Sequence, residues 1–214
     1  MNIYLVRHAQ SQSNEDYSVL HTMTNVSVSL TALGHLQAIE TGVFLAEHFK
    51  DKTSVKVWNS PYDRTRLTSK AIKDTFDQMK VQYSKEESIH IAERQFGLVD
   101  DVKEYKTNHL DAFNHYQLHA KEKKEFFARP PLGESPFDMC QRLDFFIRVV
   151  LANSQEENHV VVSHGAAIRG FIMMQQKWEY EEYMKMPNPY NASVHCIESN
   201  IYKGEIFVPS KVSK

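Results

Sequence analysis

Three short apolar runs, each followed by a helix-like segment, constrain the fold of this chain more than any other feature. The runs lie at residues 2–8, 54–58 and 159–163, and the third is almost entirely β-branched. Strands that alternate with helices are typical of crossover connections, which produce a mainly parallel sheet. The pattern therefore predicts an α/β fold.

Residue periodicity adds further elements. Helices are predicted at residues 31–49 and 61–78, from Ser135 and from residue 166, and strands at 88–92, 193–197 and 201–208. Ser60 with Asp63, and Ser135 with Asp138, have the spacing of helix-start capping boxes. The first helix has a predicted apolar face of Leu33, Leu36, Ile39, Val43, Ala46 and Phe49. The helix from Ser135 has one of Phe137, Cys140, Leu143, Ile147 and Val150.

Candidate site residues lie at the ends of these three apolar runs. Arg7 and His8 end the run at 2–8, Arg64 lies in the helix start after the run at 54–58, and His164 follows the run at 159–163. Ligands of open α/β sheets bind at the carboxyl ends of the strands, so we expect these side chains to share one cleft. Two arginines and two histidines in one cleft indicate an anionic ligand.

The segment after His8 fits a phosphate site. A phosphoryl group needs fixed cations and donors around its oxygens and one nucleophile aimed at phosphorus. Arg7 offers forked donors, His8 an unprotonated imidazole nitrogen, and Ser11 and Asn14 short polar side chains. Taken alone, Arg7 could equally form a surface ion pair and His8 a structural hydrogen bond. The agreement of three strand ends favours the phosphate site.

Short motifs in a fixed order give the chain a family resemblance. They are Arg7-His8 with Asn14, Leu30-Thr31-x-x-Gly34-x-x-Gln37-Ala38, Ser60-Pro61-x-x-Arg64, Glu93-x-x-x-Gly97, Gly133-Glu134-Ser135 and Ser163-His164-Gly165. With these motifs the chain resembles the histidine phosphatase superfamily, also called phosphoglycerate-mutase-like. The resemblance implies a three-layer αβα sandwich with a mainly parallel central sheet. Residues 93–97 and 126–135 look most similar to a plant and fungal group of broad-specificity phosphatases.

The resemblance also assigns roles. It implies that His8 attacks phosphorus and becomes a phosphohistidine, with its other ring nitrogen donating to a carbonyl. Arg7, Arg64 and His164 are then expected to hold the phosphoryl oxygens, assisted by Asn14. Ser11 and Gly165 complete the predicted substrate-binding set. No metal ion or other cofactor is expected, because the arginines and histidines supply the positive charge.

An acidic residue must protonate the leaving oxygen. The resemblance assigns this role to an acid after the third strand, most simply Glu93, and Glu134 and Asp100 stay open as alternatives. Arg94 and Arg129 are candidates to meet a second anionic group on the substrate. The other nine of the 11 histidines, among them His21, His109, His115 and His119, lack ligand spacing with nearby acids or cysteines, which argues against a metal site.

Two departures from the family pattern stand out. Ala9 occupies the position where relatives usually have glycine, and its methyl group would be strained if the backbone adopted a positive φ. A negative φ would accommodate it. Residues 97–101 lack the Trp-Glu-Gly-like pattern of many relatives, which weakens any transfer of substrate identity.

The predicted function is hydrolysis of a small phosphomonoester. One alternative is a 2,3-bisphosphoglycerate-dependent phosphoglycerate mutase, although such mutases usually carry longer insertions. The other is a non-catalytic sensor of a phosphorylated ligand, which would be free to lose the nucleophile His8. The predicted partner is a small phosphorylated metabolite.

Length and charge set the remaining expectations. With 214 residues, 42% of them hydrophobic, the chain is long enough for one domain, with a predicted substrate cap at about residues 97–131. A net charge of −2 with interspersed signs gives no basic surface for nucleic acid or membrane. The chain begins with a strand and has no membrane-length apolar run, so we expect a cytoplasmic protein with Cys140 and Cys196 as buried thiols. Periodicity does not reveal an oligomeric state.

Overall fold

A central sheet organises the computed structural model, which describes residues 1–50, 55–97, 109–122 and 124–211. Its strands are β1 (Asn2–Arg7), β2 (Val55–Asn59), β3 (Tyr83–Glu87), β4 (Asn158–Ser163), β5 (Val194–Glu198) and β6 (Ile201–Phe207). Within the described ranges these six strands pair in the order β3-β2-β4-β1-β5-β6. Strands β1 to β4 run parallel, whereas β5 and β6 are antiparallel to their neighbours. The predicted α/β fold with a mainly parallel sheet is confirmed.

Helices connect and cover the strands. They are α1 (Gln12–Glu15), α2 (Ala32–Phe49), α3 (Asp63–Gln78), α4 (Leu110–Glu122), α5 (Lys124–Phe127), α6 (Pro136–Phe145), α7 (Gly165–Gln176) and α8 (Tyr180–Lys185). Helix α6 continues as a π-helix over Phe146–Leu151. Short 3-10 turns occupy Tyr17–His21, Asn25–Ser27 and Ile89–Ile91.

Alternating strand residues divide the core into two clusters. Ile3 and Leu5 of β1 belong to a buried cluster with residues of α6 and α7. Tyr4 and Val6 belong to another with residues of α2 and α3. Because successive side chains of a strand point to opposite faces, the two clusters lie on opposite sides of the sheet. The fold is therefore the three-layer αβα sandwich that the family resemblance implies.

The buried face of α2 differs from the predicted one. Leu36, Ile39 and Val43 are exposed, with relative accessibilities of 55%, 48% and 39%. Ala46 and Phe49 are buried as predicted. The other buried residues of the helix are mostly small or polar and include Ala38, Thr41 and Gly42, together with Leu45. A Cβ atom on Gly42 would lie 2.7 Å from Oγ1 of Thr75 in α3, so the two helices approach closely at this small residue. The largest apolar side chains therefore did not mark the packed face.

The third strand lies before its predicted position at residues 88–92. Strand β3 covers Tyr83–Glu87 and pairs with β2, whereas Ile89–Ile91 forms a 3-10 turn. The strand is at the edge of the sheet and carries three charged residues among its five, which is how edge strands commonly avoid further pairing. Hydrophobicity therefore selected the neighbouring turn, which buries Ile91.

Helix α6 begins as predicted but buries a shifted face. Ser135 and Asp138 form the expected capping box, with Ser135 Oγ accepting from the Asp138 amide at 3.1 Å. Cys140 and Leu143 are buried as predicted, whereas Phe137 is 44% exposed. Beyond residue 145, Phe146 and Leu151 are buried, and Ile147 and Val150 are only partly buried. A π-helix has a wider turn than an α-helix, so it shifts the buried positions that follow.

Three strand ends meet at one edge of the sheet. In the register of the parallel strands, Arg7 lies opposite Ser163, and Asn59 opposite Val162. The His8 amide donates to the Ser163 carbonyl at 2.8 Å, and the Ser60 amide donates to the Val162 carbonyl at 3.1 Å. Because β4 lies between β1 and β2, the residue after β4 is positioned between His8 and Ser60.

Other predictions concern the remainder of the chain. Cys140 and Cys196 are buried free thiols, as expected. No helix within the described ranges is both long and apolar enough to span a bilayer. Helices α4 and α5 fall inside the predicted substrate cap, of which residues 98–108 and 123 lie outside the described ranges. The role of this segment as a cap and the organisation of the chain as one domain stay predictions.

Candidate active site

A cleft of about 340 Å³ opens at this edge of the sheet. The described residues that line it are Arg7, His8, Ser13, Asn14, Tyr17, Leu20, Asn25, Arg64, Glu93 and Phe96. They come from β1 and α1, the turns after α1, helix α3 and the segment after the Ile89–Ile91 turn. The fold thus brings five of the predicted site residues into one cleft.

The His8 ring is fixed in one tautomer. Its Nδ1 atom lies 2.8 Å from the Ala9 carbonyl oxygen, and the residue is only 3% exposed. A carbonyl oxygen only accepts hydrogen bonds, so Nδ1 carries the proton and Nε2 keeps the lone pair that a nucleophile needs. This is the contact that the sequence analysis expected for His8.

Ala9 fits its position without strain. It does not adopt a positive φ, so its methyl group meets none of the penalty that this region imposes on residues with a side chain. The residue is fully buried, and its amide donates to Oγ1 of Thr68 in α3 at 3.0 Å. The replacement of the usual glycine therefore leaves the backbone geometry of His8 intact.

Both histidines are held in the neutral form. The pKa of His8 lies well below its ordinary value of 6.5, because burial penalises the charged ring and the Arg64 and Arg7 charges add repulsion. The pKa of His164 is lowered in the same way, first by burial and then by Arg64. A neutral imidazole is a nucleophile, whereas a protonated ring is not.

Arg7 combines a fixed guanidinium with an unsatisfied donor. Its Nη1 atom donates to the Pro189 carbonyl at 2.5 Å, while its buried Nε has no hydrogen-bond partner among the residues that the structure describes. Burial lowers the pKa of Arg7 to about 10, which still leaves the side chain charged at neutral pH. A buried donor without a partner costs free energy, and an anion in the cleft would remove this cost.

Arg64 is held by contacts with two residues. Its Nη1 atom donates to the Asn25 carbonyl at 2.6 Å, and its guanidinium carbon lies 4.7 Å from the centre of the Tyr62 ring. The same Tyr62 ring contacts His164 edge to face at a centroid distance of 4.9 Å. Tyr62 therefore links the second cation of the cleft to the second histidine.

His164 is fully buried beside His8. The two ring centroids are 5.3 Å apart, so the convergence predicted from the sequence is present in the fold. His164 Nε2 lies 2.8 Å from Ser60 Oγ. Among the described residues, His164 Nδ1 has no hydrogen-bond partner, and it lies 3.8 Å from Oε2 of Glu93. The ring is thus anchored by Ser60 on one side and faces the lining residue Glu93 on the other, although His164 itself is not among the described residues that line the cleft.

The predicted capping role of Ser60 is wrong. Helix α3 begins at Asp63, with Tyr62 as its N-cap residue and no capping side chain. Ser60 lies three residues before the helix, where its hydroxyl is bonded to His164 instead. The sequence motif marks a helix start in both cases, but here the serine supports the site.

Glu93 is the better placed of the two described candidates for the acid. It lines the cleft, and its Oε1 accepts from the Arg94 amide at 2.9 Å. The carboxylate of Glu134 is occupied, because it accepts from Nε and Nη2 of Arg142 at 2.9 Å each and from the Gln95 amide at 3.0 Å. Asp100, the other alternative, lies outside the described residues.

Other predicted binding residues have mixed positions. Asn14 lines the cleft, but its Oδ1 accepts from both the amide and the hydroxyl of Ser11 at 3.1 and 2.9 Å. Any contact of Asn14 with an anion therefore comes from Nδ2. Ser11 itself is completely buried and supports Asn14 from behind, while Ser13 lines the cleft. Gly165 begins α7, where an added Cβ would lie 2.2 Å from Asn188 Oδ1.

Neither of the two arginines considered for a second anion is among the described residues that line the cleft. Arg129 is bonded through two nitrogens to the carboxylate of Asp138. The guanidinium carbon of Arg94 lies 4.3 Å from the centre of the Phe96 ring, and Arg94 is only 6% exposed. Arg94 therefore packs behind a residue that lines the cleft.

The sequence analysis missed the segment that closes the back of the site, residues 187–193. Its Pro189 carbonyl accepts from Arg7, and Asn191 Nδ2 donates to the His8 carbonyl at 2.9 Å. The Ala192 amide donates to the Arg7 carbonyl at 3.1 Å. Residues 187–191 contain two prolines and two asparagines, which is a turn signal, but nothing in that pattern indicates which strand the turn contacts.

The chemistry available in this cleft is phosphoryl transfer. A neutral imidazole, two guanidinium groups and a carboxyl group lie together, which are the parts required for attack, charge stabilisation and proton transfer. Among the residues whose placement is described, no group of three or more His, Cys, Asp or Glu side chains could hold a metal ion.

Comparison with known families gives an extensive match. The model of the histidine phosphatase superfamily (branch 1) matches residues 3–208. The phosphoglycerate mutase-like protein AT74 of Arabidopsis thaliana is 33% identical over 92% of this chain. The broad-range acid phosphatase DET1 of Saccharomyces cerevisiae is 23% identical over 92% of this chain and 84% of its own length. The chain spans 64% of the length of the Arabidopsis protein.

Solved structures share the fold. The alpha-ribazole phosphatase of Shigella flexneri superposes with a TM-score of 0.71, at 18% identity, over 99% of this chain and 96% of the other. A mycobacterial glucosyl-3-phosphoglycerate phosphatase superposes with a TM-score of 0.64, at 17% identity, over 91% of this chain and 88% of the other. At these identities the likeness extends to the arrangement of strands and helices.

Proposed function

This chain belongs to the histidine phosphatase superfamily, and from that membership we propose that it hydrolyses small phosphomonoesters through a phosphohistidine on His8. The observation that carries the proposal is the state of His8. Its ring is neutral, its Nδ1 proton is bound by the Ala9 carbonyl, and it shares a cleft with Arg7 and Arg64. The substrate is a small phosphorylated metabolite.

In the first half-reaction, Nε2 of His8 attacks phosphorus. A P–N bond forms, the bond between phosphorus and the ester oxygen breaks, and protonated Glu93 donates its proton to the leaving alkoxide. Arg7 and Arg64 stabilise the charge on the phosphoryl oxygens. In the proposed arrangement Ser60 Oγ donates its hydrogen bond to the unprotonated Nε2 of His164, so the ring proton is on Nδ1 and can be donated to a further phosphoryl oxygen.

In the second half-reaction, water attacks the phosphohistidine. Glu93, now a carboxylate, accepts a proton from that water as the P–N bond breaks, and His8 and inorganic phosphate are released. The two half-reactions restore both residues to their starting states. The arginines and histidines supply the positive charge, so the proposed reaction is independent of metal ions. Rates that do not change when a chelator is added would support this part of the proposal.

The fixed tautomer of His8 supports an enzyme and not a phosphate sensor. A sensor needs donors around the anion but has no use for a fixed tautomer with a free lone pair.

The mutase alternative differs in where the phosphoryl group goes. Conversion of 3-phosphoglycerate to 2-phosphoglycerate with a 2,3-bisphosphoglycerate primer, at rates above phosphate release, would favour the mutase.

For location we propose the cytoplasm, because both cysteines are free thiols and reduced thiols are typical of that compartment.

Replacement of the nucleophile tests the proposal. His8→Ala is expected to abolish release of phosphate from an activated aryl phosphate, while His21→Ala, at an exposed histidine outside the cleft, retains the parent rate. Rapid acid-free quenching of the wild-type protein should trap one base-stable phosphohistidine, which mass spectrometry should place at residue 8. Parent-level turnover by the folded His8→Ala protein would remove the mechanism.

A further inference from the structure

The cleft has an apolar wall that the phosphoryl chemistry does not use. Tyr17, Leu20 and Phe96 line it beside the charged residues. Tyr17 and Leu20 belong to the 3-10 turn that follows α1, and Phe96 belongs to the segment after Glu93. A wall of this composition favours contact with an apolar group of the ligand.

The position of Phe96 is fixed from behind. The buried Arg94 guanidinium lies 4.3 Å from the centre of its ring. The preceding residue, Gln95, donates its amide to Glu134 at 3.0 Å. The following residue, Gly97, has a φ of +60°, and a Cβ there would lie 2.2 Å from the Pro131 carbonyl oxygen. These contacts on both sides hold the ring in place without a ligand.

The proposed acid and the aromatic ring share one segment. Glu93 and Phe96 are three residues apart, and both line the cleft. Glu93 must reach the ester oxygen in order to protonate it, so the leaving alcohol begins at Glu93. An alcohol that extends from this point meets the residues of the apolar wall.

The charges of the cleft disfavour a second anionic group on the leaving alcohol. Among the described lining residues, the cationic side chains are Arg7 and Arg64, and both are assigned to the transferred phosphoryl group. Arg94 packs behind Phe96, and Arg129 is bonded to Asp138. A second anionic group on the leaving alcohol would therefore lie near the Glu93 carboxyl group and an apolar wall, which is unfavourable.

We infer that Tyr17, Leu20 and Phe96 form a leaving-group subsite that selects phosphomonoesters of aromatic alcohols over those of anionic ones. This inference rests on the proposed phosphatase function and adds its substrate class. Aromatic rings bind each other in offset or edge-to-face contacts that add to the burial of their surface. The subsite acts on binding, so it lowers KM for such substrates.

The test compares substrates of similar intrinsic reactivity. 2-Naphthylmethyl phosphate, ethyl phosphate and 3-phosphoglycerate all have alkyl leaving groups, so differences in kcat/KM report recognition instead of leaving-group strength. The wild-type protein is expected to prefer naphthylmethyl phosphate to both others. In Phe96→Ala and Tyr17→Ala the ratio of kcat/KM for naphthylmethyl to ethyl phosphate should fall about tenfold, mainly through KM. Phe127→Ala, an exposed phenylalanine outside the cleft, should keep the wild-type ratio.

Failure of the subsite and failure of the phosphatase proposal give different results. The subsite would be overturned if the wild-type protein preferred 3-phosphoglycerate, or if the kcat/KM ratio were unchanged in the folded Phe96→Ala and Tyr17→Ala proteins. Turnover that still depended on His8 would in that case leave the phosphatase proposal intact. Absence of any turnover that depends on His8 would remove the phosphatase instead. The subsite would then be judged by calorimetric binding of naphthylmethylphosphonate against ethylphosphonate. Equal affinities, or affinities insensitive to Phe96→Ala, would overturn it.

Discussion

The hydroxyl oxygen of Ser60 lies 2.8 Å from Nε2 of His164, and both residues are fully buried. The bond connects the residue after β2 to the residue after β4, two neighbouring strands of the sheet. It fixes the orientation of the His164 ring, whose Nδ1 atom has no hydrogen-bond partner in the described part of the chain. Ser60 therefore acts on the site by positioning His164.

Removal of this hydroxyl should slow catalysis more than it destabilises the fold. Ser60→Ala leaves His164 Nε2 without its partner, and a lost buried hydrogen bond of this kind costs about 1–3 kcal/mol. If the cost falls on the transition state, kcat drops roughly tenfold to a hundredfold while KM changes little. Steady-state kinetics on one aryl phosphate measure both constants.

Ser69→Ala provides a matched control for this prediction. Ser69 is also a fully buried serine, but its Oγ has no hydrogen-bond partner within the described ranges. Its replacement is therefore expected to leave kcat unchanged. Equal kcat values for the Ser60→Ala and Ser69→Ala proteins would show that the bond to His164 does not serve the reaction.

Substitution of Glu93 and substitution of Glu134 should produce different defects. Glu93→Gln removes the proposed proton donor, so the rate should depend more steeply on the pKa of the leaving alcohol, with p-nitrophenyl phosphate least affected. Glu134→Gln weakens a paired and partly buried contact with Arg142, so its main effect should be a lower Tm. Rates for a series of substituted phenyl phosphates, and a thermal melt of each variant, separate the two. A steeper dependence in Glu134→Gln, with Glu93→Gln like the wild type, would reverse the assignment.

Buried neutral histidines should make the protein less stable in mild acid. The pKa values of His8, His159 and His164 are lowered, mainly by burial, so the folded protein resists protonation at these sites. Below pH 6.5 the unfolded chain binds protons there and the folded chain does not, so the free energy of unfolding falls as pH decreases. Each such histidine contributes up to about 1.4 kcal/mol per pH unit until its folded pKa is reached.

Urea denaturation at several pH values measures this loss. Asp138 also has a lowered pKa, about 2, mainly through its bond to Arg129, but its contribution is lost only below its unfolded pKa of 3.8. The pKa of Glu156 is likewise lowered from 4.5 to about 2, mainly through its hydrogen bonds from Ser154 and Ser84. Measurements between about pH 6 and pH 7.5 therefore lie above the range in which these carboxyl groups become protonated in the unfolded chain. His159 accepts from Trp58 Nε1 through Nδ1 at 3.2 Å, and its Nε2 donates to the Glu156 carbonyl at 2.9 Å. His159→Gln should flatten the slope, and an unchanged slope would exclude His159 as a contributor.

Sequence patterns predicted those site residues whose positions are determined by the backbone topology alone. Parallel strands end at a common edge, so the residues after β1 and β4 had to be neighbours, and the rings of His8 and His164 are 5.3 Å apart. Side-chain partners were harder to predict. Ser60 has the spacing of a helix cap, but its contact with His164 depends on the tertiary fold, which the local sequence does not specify.

Packing between helices limited the prediction in another way. Hydrophobicity indicated Leu36 and Ile39 as buried residues of α2, but the close approach of α3 requires small residues such as Gly42 on the packed face. The turn at residues 187–193 was recognisable only as a turn. Its contacts with Arg7 and His8 depend on the return of the chain to β5, which is beside β1 in the sheet.

Asn191 provides a test of that turn. Its Nδ2 atom donates to the His8 carbonyl at 2.9 Å and to Asn14 Oδ1 at 3.2 Å, and the residue is fully buried. Asn191→Asp keeps the shape of the side chain but replaces this donor with an oxygen that faces two acceptors. We expect a loss of about 1–3 kcal/mol in the free energy of unfolding, because buried polar groups lose their partners.

The same substitution should also lower activity, since the backbone of His8 and the side chain of Asn14 both lose a contact. Asn153→Asp is the matched control, because Asn153 is exposed and lies outside the cleft. Urea denaturation and kcat/KM are measured for both variants, and Asn191→Ala separates the lost donor from the added charge. If Asn191→Asp were as stable and active as Asn153→Asp, the turn would not hold the nucleophile, and the positions of His8 and Asn14 would depend on β1 and α1 alone.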